Sequence, residues 1–291
     1  MIEKRRFAII GAGMLGRTLA AALHRHGLTV AAVASRRLAA AQDAAALAGC
    51  DLATTDPAEA ARRADMVVVS VPDDAVAIVC GQVAAGGGFA AGDIAVHLSG
   101  ALGSDALDAA RACGAVALAF HPAQTFARVD PALFEGIVVS LEGDEAAVAA
   151  GRALAERLGA QPVAMRPEDK VLYHAALCVA SNYAVTLADA GVALLEEAGF
   201  GDASVPTLLP LLRTILGNLE RVGTARALTG PISRGDLATL RAHLAELGAR
   251  TPDLIPLYRV VGLRTIGLAI RKGTITADQA RAMRLLLGNA D

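Results

Sequence analysis

Residues 7–16 read Phe-Ala-Ile-Ile-Gly-Ala-Gly-Met-Leu-Gly, an apolar run that passes into three regularly spaced glycines. A helical pattern follows to about His26, and a second apolar run extends from Leu28 to Ala34. This order of strand, glycine-rich turn, helix and parallel strand is typical of a turn whose free N–H groups receive a diphosphate. The alternative is a tight strand-to-helix turn without a ligand. We favour a dinucleotide site that contains Gly11, Ala12, Gly13, Met14, Leu15 and Gly16.

The residues at the end of the second apolar run indicate which dinucleotide binds. An NAD site places an acidic side chain there, which accepts a hydrogen bond from the ribose 2′-hydroxyl. This sequence has Ser35, Arg36 and Arg37 instead, and a hydroxyl with two guanidinium groups suits a 2′-phosphate. The alternative is that both arginines are merely solvated at the start of the next helix. We therefore predict NADP(H) as the cofactor rather than NAD.

Composition and charge exclude several classes of protein. The chain has 291 residues, enough for two domains, and its formal net charge of −2 provides no basic field for nucleic acid. Four widely scattered cysteines lack metal-binding spacing, so we predict reduced thiols in a cytoplasmic protein without a metal site. The longest uncharged run, 171–188, includes Tyr173, His174, Ser181 and Asn182, and this polarity argues against a membrane span.

The N-terminal half of the chain alternates strands and helices. Apolar runs typical of buried strands lie at 66–71, 94–98, 115–120, 137–140 and 162–165. The alternation predicts an α/β fold with a doubly wound parallel sheet, in which the carboxyl ends of the strands share one edge and bind ligands there. Residues at these strand ends are predicted to contact the cofactor, namely Val71, Pro72, Ser99 and Gly100.

The pattern changes at Arg166-Pro167, after which no convincing strand follows. We predict a cofactor-binding domain at 1–165 and an all-α domain at 166–291. The first helix of the second domain should run from Pro167 to about Ala198 and form its buried axis, because it is apolar on nearly all sides. Further helices are expected at 205–222, 236–247, 252–272 and 277–287.

Polar side chains on that first helix are candidates for chemistry. Lys170 lies in the first turn, where the helix dipole disfavours a cation, and such local conflicts often mark functional sites. By their spacing Lys170, His174 and Ser181 share one helix face, with Asn182 beside them. The alternatives are that Lys170 pairs with a carboxylate of its own turn or points to water.

Two other regions provide candidate substrate contacts. His121 directly follows a strand, where it either meets a substrate or caps the strand against a backbone carbonyl. Arg234 lies in the polar loop 229–236 and is suited to bind a substrate carboxylate bidentately. Alternatively, this loop is an ordinary helix connection in which Asp236 caps the next helix. His97 lies inside a strand, and we expect it to be structural.

Taken together, these residues resemble a known group of enzymes. The N-terminal half looks like the NADP-binding Rossmann domain shared by ketopantoate reductases, pyrroline-5-carboxylate reductases and β-hydroxyacid dehydrogenases. Other motifs look like the Rossmann-like oxidoreductases with an uncharacterised all-α C-terminal domain similar to that of 6-phosphogluconate dehydrogenase. These motifs are His97-Leu98-Ser99-Gly100, residues 121–126, Tyr173-His174 with 181–183, and residues 229–231 with 234–236.

The resemblance implies an NADPH-dependent reductase of a small carbonyl or imine acid, with ketopantoate as the first substrate to test. Better-known relatives polarise the substrate oxygen with a helix-borne lysine and an asparagine one turn later. Lys170 matches this lysine, whereas His174 stands one turn later and Asn182 three turns away. The resemblance also implies a homodimer formed through the α-domain.

We assign provisional roles on this basis. Lys170 or His174 donates the proton or hydrogen bond to the substrate, Asn182 orients the substrate, and His121 and Arg234 are candidates to bind its carboxylate. An alternative from another functional class is a protein that binds NADP(H) as a sensor or scaffold without turnover.

Overall fold

The computed structural model describes residues 2–288, and the chain divides into two compact units. We call Met1–Val179 the sheet unit and Ala180–Asp291 the helical unit. The strands of the sheet unit are β1 (Arg6–Ile10), β2 (Thr29–Ala34), β3 (Ala53–Thr54), β4 (Met66–Val69), β5 (Ile94–His97), β6 (Val116–Pro122), β7 (Val138–Gly143) and β8 (Gln161–Ala164). Its helices are α1 (Met14–Arg25), α2 (Leu38–Ala48), α3 (Pro57–Ala61), α4 (Asp73–Ala85), α5 (Asp108–Arg111), α6 (Glu145–Arg157) and α7 (Lys170–Ala180), the last of which ends at the boundary.

The strands form one sheet in the order β3-β2-β1-β4-β5-β6-β7-β8. Strands β1 to β6 pair in parallel, which confirms the predicted Rossmann sheet for this part. The prediction of a wholly parallel sheet is wrong at β7, which runs antiparallel to β6, while β8 runs parallel to β7. The reason lies in the connection, since a parallel pair needs a long crossover and residues 123–137 contain only the short 3-10 helix Pro131–Phe134.

Helices cover both faces of the sheet. Side chains alternate along a strand, so Phe7 and Ile9 of β1 pack in the core formed with α1, α2 and α6. Ala8 and Ile10 point the other way, into the core formed with α3, α4 and α5. Burial on both faces explains why the central strands read as continuous apolar runs in the sequence.

The glycine-rich turn brings α1 very close to the sheet. Gly11 has a φ of 110°, and a Cβ atom there would lie 2.0 Å from the carbonyl oxygen of Ser70. A Cβ atom at Gly16 would lie 2.1 Å from the carbonyl oxygen of Gly11. At Gly13, by contrast, a Cβ atom would meet nothing within 4 Å. Two of the three glycines are therefore required by packing, whereas the third borders open space.

Every element of the helical unit is a helix within the described residues. These helices are α8 (Asn182–Glu197), α9 (Ser204–Ala227), α10 (Pro231–Arg234), α11 (Leu237–Arg250), α12 (Ile255–Lys272) and α13 (Ala277–Gly288). Gly223 interrupts α9 with a φ of 73°, close to its expected end. The predicted capping box at the start of α13 is confirmed, because Thr276 and Gln279 exchange hydrogen bonds of 2.8 and 3.2 Å.

The prediction of one long, buried helix after Arg166 is wrong both in its continuity and in its burial. After a 3-10 turn at Pro167–Asp169, the helix breaks at Ser181, whose φ and ψ are −112° and −70°. No residue of α8 is buried, and Lys170 is the buried residue of α7. Counted across this break, the helical residues Pro167–Glu197 are long and apolar enough to cross a membrane by length and composition alone.

Gly16→Ala is expected to lower the free energy of unfolding by about 1–3 kcal/mol, because the added methyl group meets backbone that cannot rotate away. The matched control is Gly81→Ala, inside α4, where a Cβ atom meets nothing within 4 Å. The control should gain about 0.5–1 kcal/mol from better helix propensity. Urea unfolding followed by circular dichroism measures both values, and equal midpoints for the two variants would contradict the close packing of α1.

Candidate functional site

A cavity of about 870 Å³ lies beside the glycine-rich turn, at the carboxyl ends of β1, β2 and β4. Its volume is in the range of ligand sites, and the crevice beyond the strand ends is where this kind of sheet binds ligands. The structure brings together at this cavity the predicted cofactor residues Gly11, Ala12, Gly13, Ser35, Arg36, Arg37, Val71 and Pro72.

The first turn of α1 provides backbone donors at this cavity. Gly13 is the N-cap of the helix and has no side chain that could accept from the first N–H groups. Such groups have no partner within the helix, and together with the helix dipole they favour an anion. Met14, Leu15 and Gly16 lie outside the lining of the cavity, so the contact of Met14 and Leu15 with the cofactor stays a prediction, whereas Gly16 serves the packing of the helix.

Arg36 and Arg37 are exposed side chains in the lining of the cavity. Within the described residues, neither guanidinium group forms a hydrogen bond or an ion pair. Nearby Arg62, in contrast, donates to the carbonyl oxygen of Gly86. Two uncommitted guanidinium groups beside Ser35 fit the charge and geometry of a phosphate.

Several residues of the cavity were missed by the sequence analysis. They are Thr55, Pro57, Ser70, Asp74 and Gln82. Thr55 and Pro57 follow β3, a strand of two residues that leaves no periodic signal in the sequence. Ser70 and Asp74, however, lie within two residues of the predicted pair Val71 and Pro72. Their position near the end of β4 could therefore have been used to predict them.

The hydroxyl group of Ser99 forms three hydrogen bonds within the protein. It donates to Oδ2 of Asp73 at 2.8 Å and accepts from the N–H groups of Ala101 and Leu102 at 3.2 and 3.1 Å. Ser99 therefore joins the end of β5 to the start of α4. It lies outside the lining of the cavity, although it was predicted to contact the cofactor.

Gly100 makes room for two imidazole rings. A Cβ atom at this position would lie 2.7 Å from Cδ2 of His174 and 2.8 Å from Nε2 of His121. Gly100 also lies outside the lining of the cavity, so its lack of a side chain serves the two histidines instead.

His97 is a neutral, structural histidine, as expected. Its Nε2 atom lies 2.9 Å from the carbonyl oxygen of Gly103, which can only accept, so Nε2 carries the proton. Nδ1 then accepts from the N–H group of Ser99 at 3.2 Å. Burial lowers the pKa of His97, and the positive charge of Lys170 lowers it further. His97 thus fixes the loop that follows β5.

Lys170 is almost completely buried, with 1% of its surface exposed. Its Nζ atom has no hydrogen-bond partner in the described part of the chain. The acidic residues of its own turn, Glu168 and Asp169, pair with Arg166 instead, at 3.4 and 2.8 Å, so both sequence-based alternatives are wrong. Burial lowers the pKa of Lys170, while the carboxylates of Glu142 and Asp73 act to raise it.

His121 lies beside this lysine and is uncharged at neutral pH. Burial, followed by the charges of Lys170 and His174, lowers its pKa from 6.5 to about 4. Its Nδ1 atom is 3.0 Å from the hydroxyl oxygen of Tyr173, and its ring centroid is 6.2 Å from that of His174. The strand-capping alternative is therefore wrong. A neutral imidazole is also a poor partner for a carboxylate, which argues against the predicted role of His121.

Two residues near Lys170 were not predicted to act there. Glu142 is buried in β7, and Asp73 begins α4. Glu142 had a signal in the sequence, because it is a charged residue within the apolar run of a strand. Tyr173 was singled out only through the family resemblance. Among the described residues, no three His, Cys, Asp or Glu side chains are placed to hold a metal ion.

The remaining predicted residues, Asn182 and Arg234, belong to the helical unit. Oδ1 of Asn182 accepts from the hydroxyl of Ser181 at 2.8 Å, and Arg234 is exposed at the end of α10. Asp236 caps α11 by accepting from the N–H group of Thr239 at 3.0 Å, as one alternative expected. The break at Ser181 interrupts the helical spacing that placed Asn182 beside Lys170. The functional roles of Asn182 and Arg234 stay predictions.

Family models match both parts of the chain. Residues 2–122 match a Rossmann-like domain, and residues 137–265 match a domain of unknown function, DUF2520. The chain joins a Rossmann-like domain to a DUF2520 domain. The DUF2520 match begins just before β7, so it includes Glu142 and Lys170, whereas His97 and His121 belong to the Rossmann-like match. This combination confirms the predicted resemblance. No curated protein matches the sequence.

Solved structures share the fold over nearly the whole length of this Rossmann-like and DUF2520 chain. A proposed NADP oxidoreductase from Bacteroides fragilis is 26% identical, with a TM-score of 0.73 over 91% of this chain and 99% of its own. A protein from Thermotoga maritima is 23% identical, with a TM-score of 0.74 over 90% and 99%. An imine reductase from Pseudomonas is 18% identical, with a TM-score of 0.62 over 96% and 99%.

Acidification from pH 6.5 to pH 4 is expected to destabilise the wild-type protein more than a His121→Asn variant. Well above pH 6.5 the imidazole is neutral in both the folded and the unfolded chain. As the pH falls, the unfolded chain binds a proton first, because folded His121 does so only near pH 4. The free energy of unfolding should therefore decrease across this window, by up to about 3 kcal/mol.

Urea unfolding of both proteins at several pH values measures this difference. His97 and the carboxylates titrate in both proteins and cancel in the comparison. The same pH dependence with and without His121 would show that its imidazole is not held neutral.

Proposed function

We propose that this protein is an NADPH-dependent reductase of a small carbonyl or imine compound, a 2-oxo acid such as ketopantoate being the first candidate. The observation that carries the proposal is the buried ammonium group of Lys170, which has no hydrogen-bond partner among the described residues. Buried polar groups normally have a hydrogen-bond partner, and the exceptions include groups with a catalytic role and groups that bind a water or an ion. Perturbed titratable groups also concentrate at active sites.

Lys170 lies outside the lining of the cavity, but its acidic neighbour Asp73 lies between two lining residues at the start of α4. Pro72 and Asp74 line the cavity. Between them in the sequence, Asp73 accepts the hydroxyl of Ser99 and acts electrostatically on Lys170. Both features belong to the sheet unit, which supports the proposal that a dinucleotide site and a proton donor act together.

The residues of the cavity fit NADPH. The open space at Gly13 and the uncapped N–H groups of α1 suit a diphosphate, and Arg36 and Arg37 suit the 2′-phosphate. When bound, NADPH supplies a hydride to the substrate carbon.

The chain itself supplies the proton. Lys170 donates a hydrogen bond, and then a proton, to the carbonyl oxygen or imine nitrogen as electrons move onto that atom. His121 is neutral, and in the tautomer in which the Tyr173 hydroxyl donates to Nδ1, its Nε2–H group can donate a hydrogen bond to the substrate without adding charge. His174 is the alternative donor, since it lies against the same ring.

Lys170→Ala is expected to reduce turnover about 10²–10⁴-fold while leaving NADPH binding intact. The measurement is steady-state NADPH oxidation over a panel of 2-oxo acids, beginning with ketopantoate, and cyclic imines. Lys4→Ala is the matched control, because this lysine lies in the sheet unit and is exposed. Absence of turnover on every member, with NADPH still bound, would refute the reductase and favour the non-catalytic NADP(H)-binding alternative.

Arg36→Ala and Arg37→Ala are each expected to weaken NADPH binding about 10–100-fold and to leave NADH binding nearly unchanged, because NADH lacks the 2′-phosphate. Fluorescence titration with both nucleotides measures the ratio. Arg63→Ala is the control, since this arginine is exposed in the same unit but lies outside the cavity lining. Equal losses for the two nucleotides would exclude recognition of the 2′-phosphate.

We also propose a homodimer formed through the helical unit, within a cytoplasmic protein. Helices α8 and α9 expose many large apolar side chains, among them Val185, Leu187, Leu209, Leu211, Ile215 and Leu216. So many exposed large apolar side chains on two helices are unfavourable in water, which supports an interface here. A second copy is a better cover than lipid, because α8 carries Asp189, Glu196 and Glu197.

Leu216→Glu is expected to shift the protein from dimer toward the 29.6 kDa monomer, because a carboxylate is costly to bury at an apolar interface. Ile78→Glu is the matched control, since Ile78 is 63% exposed on α4 and Leu216 is 65% exposed. Sedimentation velocity measures both variants. A monomeric wild-type protein, or equal behaviour of the two variants, would contradict the proposed dimer.

A further inference from the structure

The carboxylate of Glu142 is held in a fixed position by Ser104. Glu142 is 6% exposed in β7. Its Oε2 atom accepts the backbone N–H group of Ser104 at 2.7 Å, and its Oε1 atom accepts the Ser104 hydroxyl at 2.8 Å. Both oxygens act as acceptors, which is the pattern of an ionised carboxylate.

Arg111 completes this arrangement. Its Nη2 atom donates to the hydroxyl oxygen of Ser104 at 2.9 Å, which leaves the hydroxyl proton to point at Glu142. The guanidinium group is itself held by Asp144 at 3.0 Å and by Asp108 at 2.7 Å. The chain of contacts from Arg111 through Ser104 therefore fixes where the negative charge of Glu142 lies.

Charged and titratable groups surround Lys170, yet none of the described carboxylates forms an ion pair with it within 4.0 Å. The acidic groups that act on it are Glu142 from β7 and Asp73 from α4. Its other titratable neighbours are imidazoles, namely His97 from β5, His121 from β6 and His174 from α7 itself.

We propose that Glu142 is a positioning residue that keeps Lys170 charged from a distance and leaves its N–H groups free for the substrate. The proposal rests on the function given above, in which this ammonium group donates a proton. Opposite charges attract through the protein interior without touching, whereas hydrogen bonds require contact. Ser104 restrains Glu142, and Nζ of Lys170 forms no hydrogen bond with it or with any other described residue, so the three donors of Lys170 remain available to a substrate atom.

The test is the titration of Lys170 in the full-length protein without cofactor, followed by NMR after labelling of the lysine side chains. The sequence contains three lysines, Lys4, Lys170 and Lys272, so a single Lys170→Arg variant assigns the signal. Glu142→Gln is expected to lower the titration midpoint of Lys170 by about one pH unit, because burial then acts with less opposing charge. The matched control Glu145→Gln, at the exposed start of α6, should leave the midpoint unchanged.

Further variants guard against a failure of Glu142→Gln to fold. Glu142→Asp keeps the charge and should retain most of the wild-type midpoint. Ser104→Ala removes one of the contacts that restrain Glu142, so the carboxylate can approach Lys170 and the midpoint should rise. A midpoint that changes by less than about 0.2 units in Glu142→Gln would overturn the proposal. If that variant does not fold, the same criterion applies to Glu142→Ala, which also removes the charge.

The titration requires neither cofactor nor substrate, so its outcome is independent of the proposed reductase activity. Where turnover is observed, the alkaline limb of kcat against pH should move to lower pH in Glu142→Gln, because a deprotonated Lys170 cannot donate. The expected shift in midpoint without any turnover would refute the reductase and leave the electrostatic role of Glu142 standing.

Discussion

The close contact between the glycine-rich turn and the end of β4 is the constraint on which the rest of the sheet unit depends. The N–H group of Gly11 donates to Ala34 at 2.8 Å, and that of Ser70 donates to Ile10 at 2.7 Å, so the ends of three strands are tied together. Neither Gly11 nor Gly16 has room for a Cβ atom in this arrangement. The same contact sets the start of α1 and thereby the open space at Gly13. Cofactor recognition and packing of the sheet are consequences of one backbone geometry.

The sequence was sufficient for the parallel part of the fold and insufficient for the rest, for physical reasons. Strands buried on both faces appear in the sequence as continuous apolar runs, and glycines at a tight turn have few substitutes, so β1, β2, β4, β5, β6 and α1 were predictable. The two-residue strand β3 was not predicted, because it is too short to leave a periodic signal. The direction of β7 depends on the path of residues 123–137, which carry no periodic signal. The break at Ser181 and the exposure of α8 likewise depend on tertiary packing, which helix propensity and apolar content do not report.

The candidate site shows the same division. Lys170 was found because a cation in the first turn of a helix conflicts with a local rule. Glu142 reaches the same site through register, since it pairs with Ala119 of β6, and Ala119 pairs with His97 of β5. His97, Ala119 and Glu142 therefore lie side by side across β5, β6 and β7, in a register that is set by the antiparallel direction of β7. Ser99 and Gly100 were correctly placed at a strand end, but the sequence does not report which neighbours occupy the space beside them.

The buried ammonium of Lys170 has a consequence for the thermal robustness of the protein. Removing such a charge from water costs roughly several kcal/mol, and among the residues that the structure describes no hydrogen bond to this cation offsets the cost. An uncharged aliphatic side chain of similar length would fit the same volume without that penalty. The native protein is therefore less resistant to heat than it would be with an apolar side chain of the same size at position 170. The ammonium group is retained at the expense of this resistance.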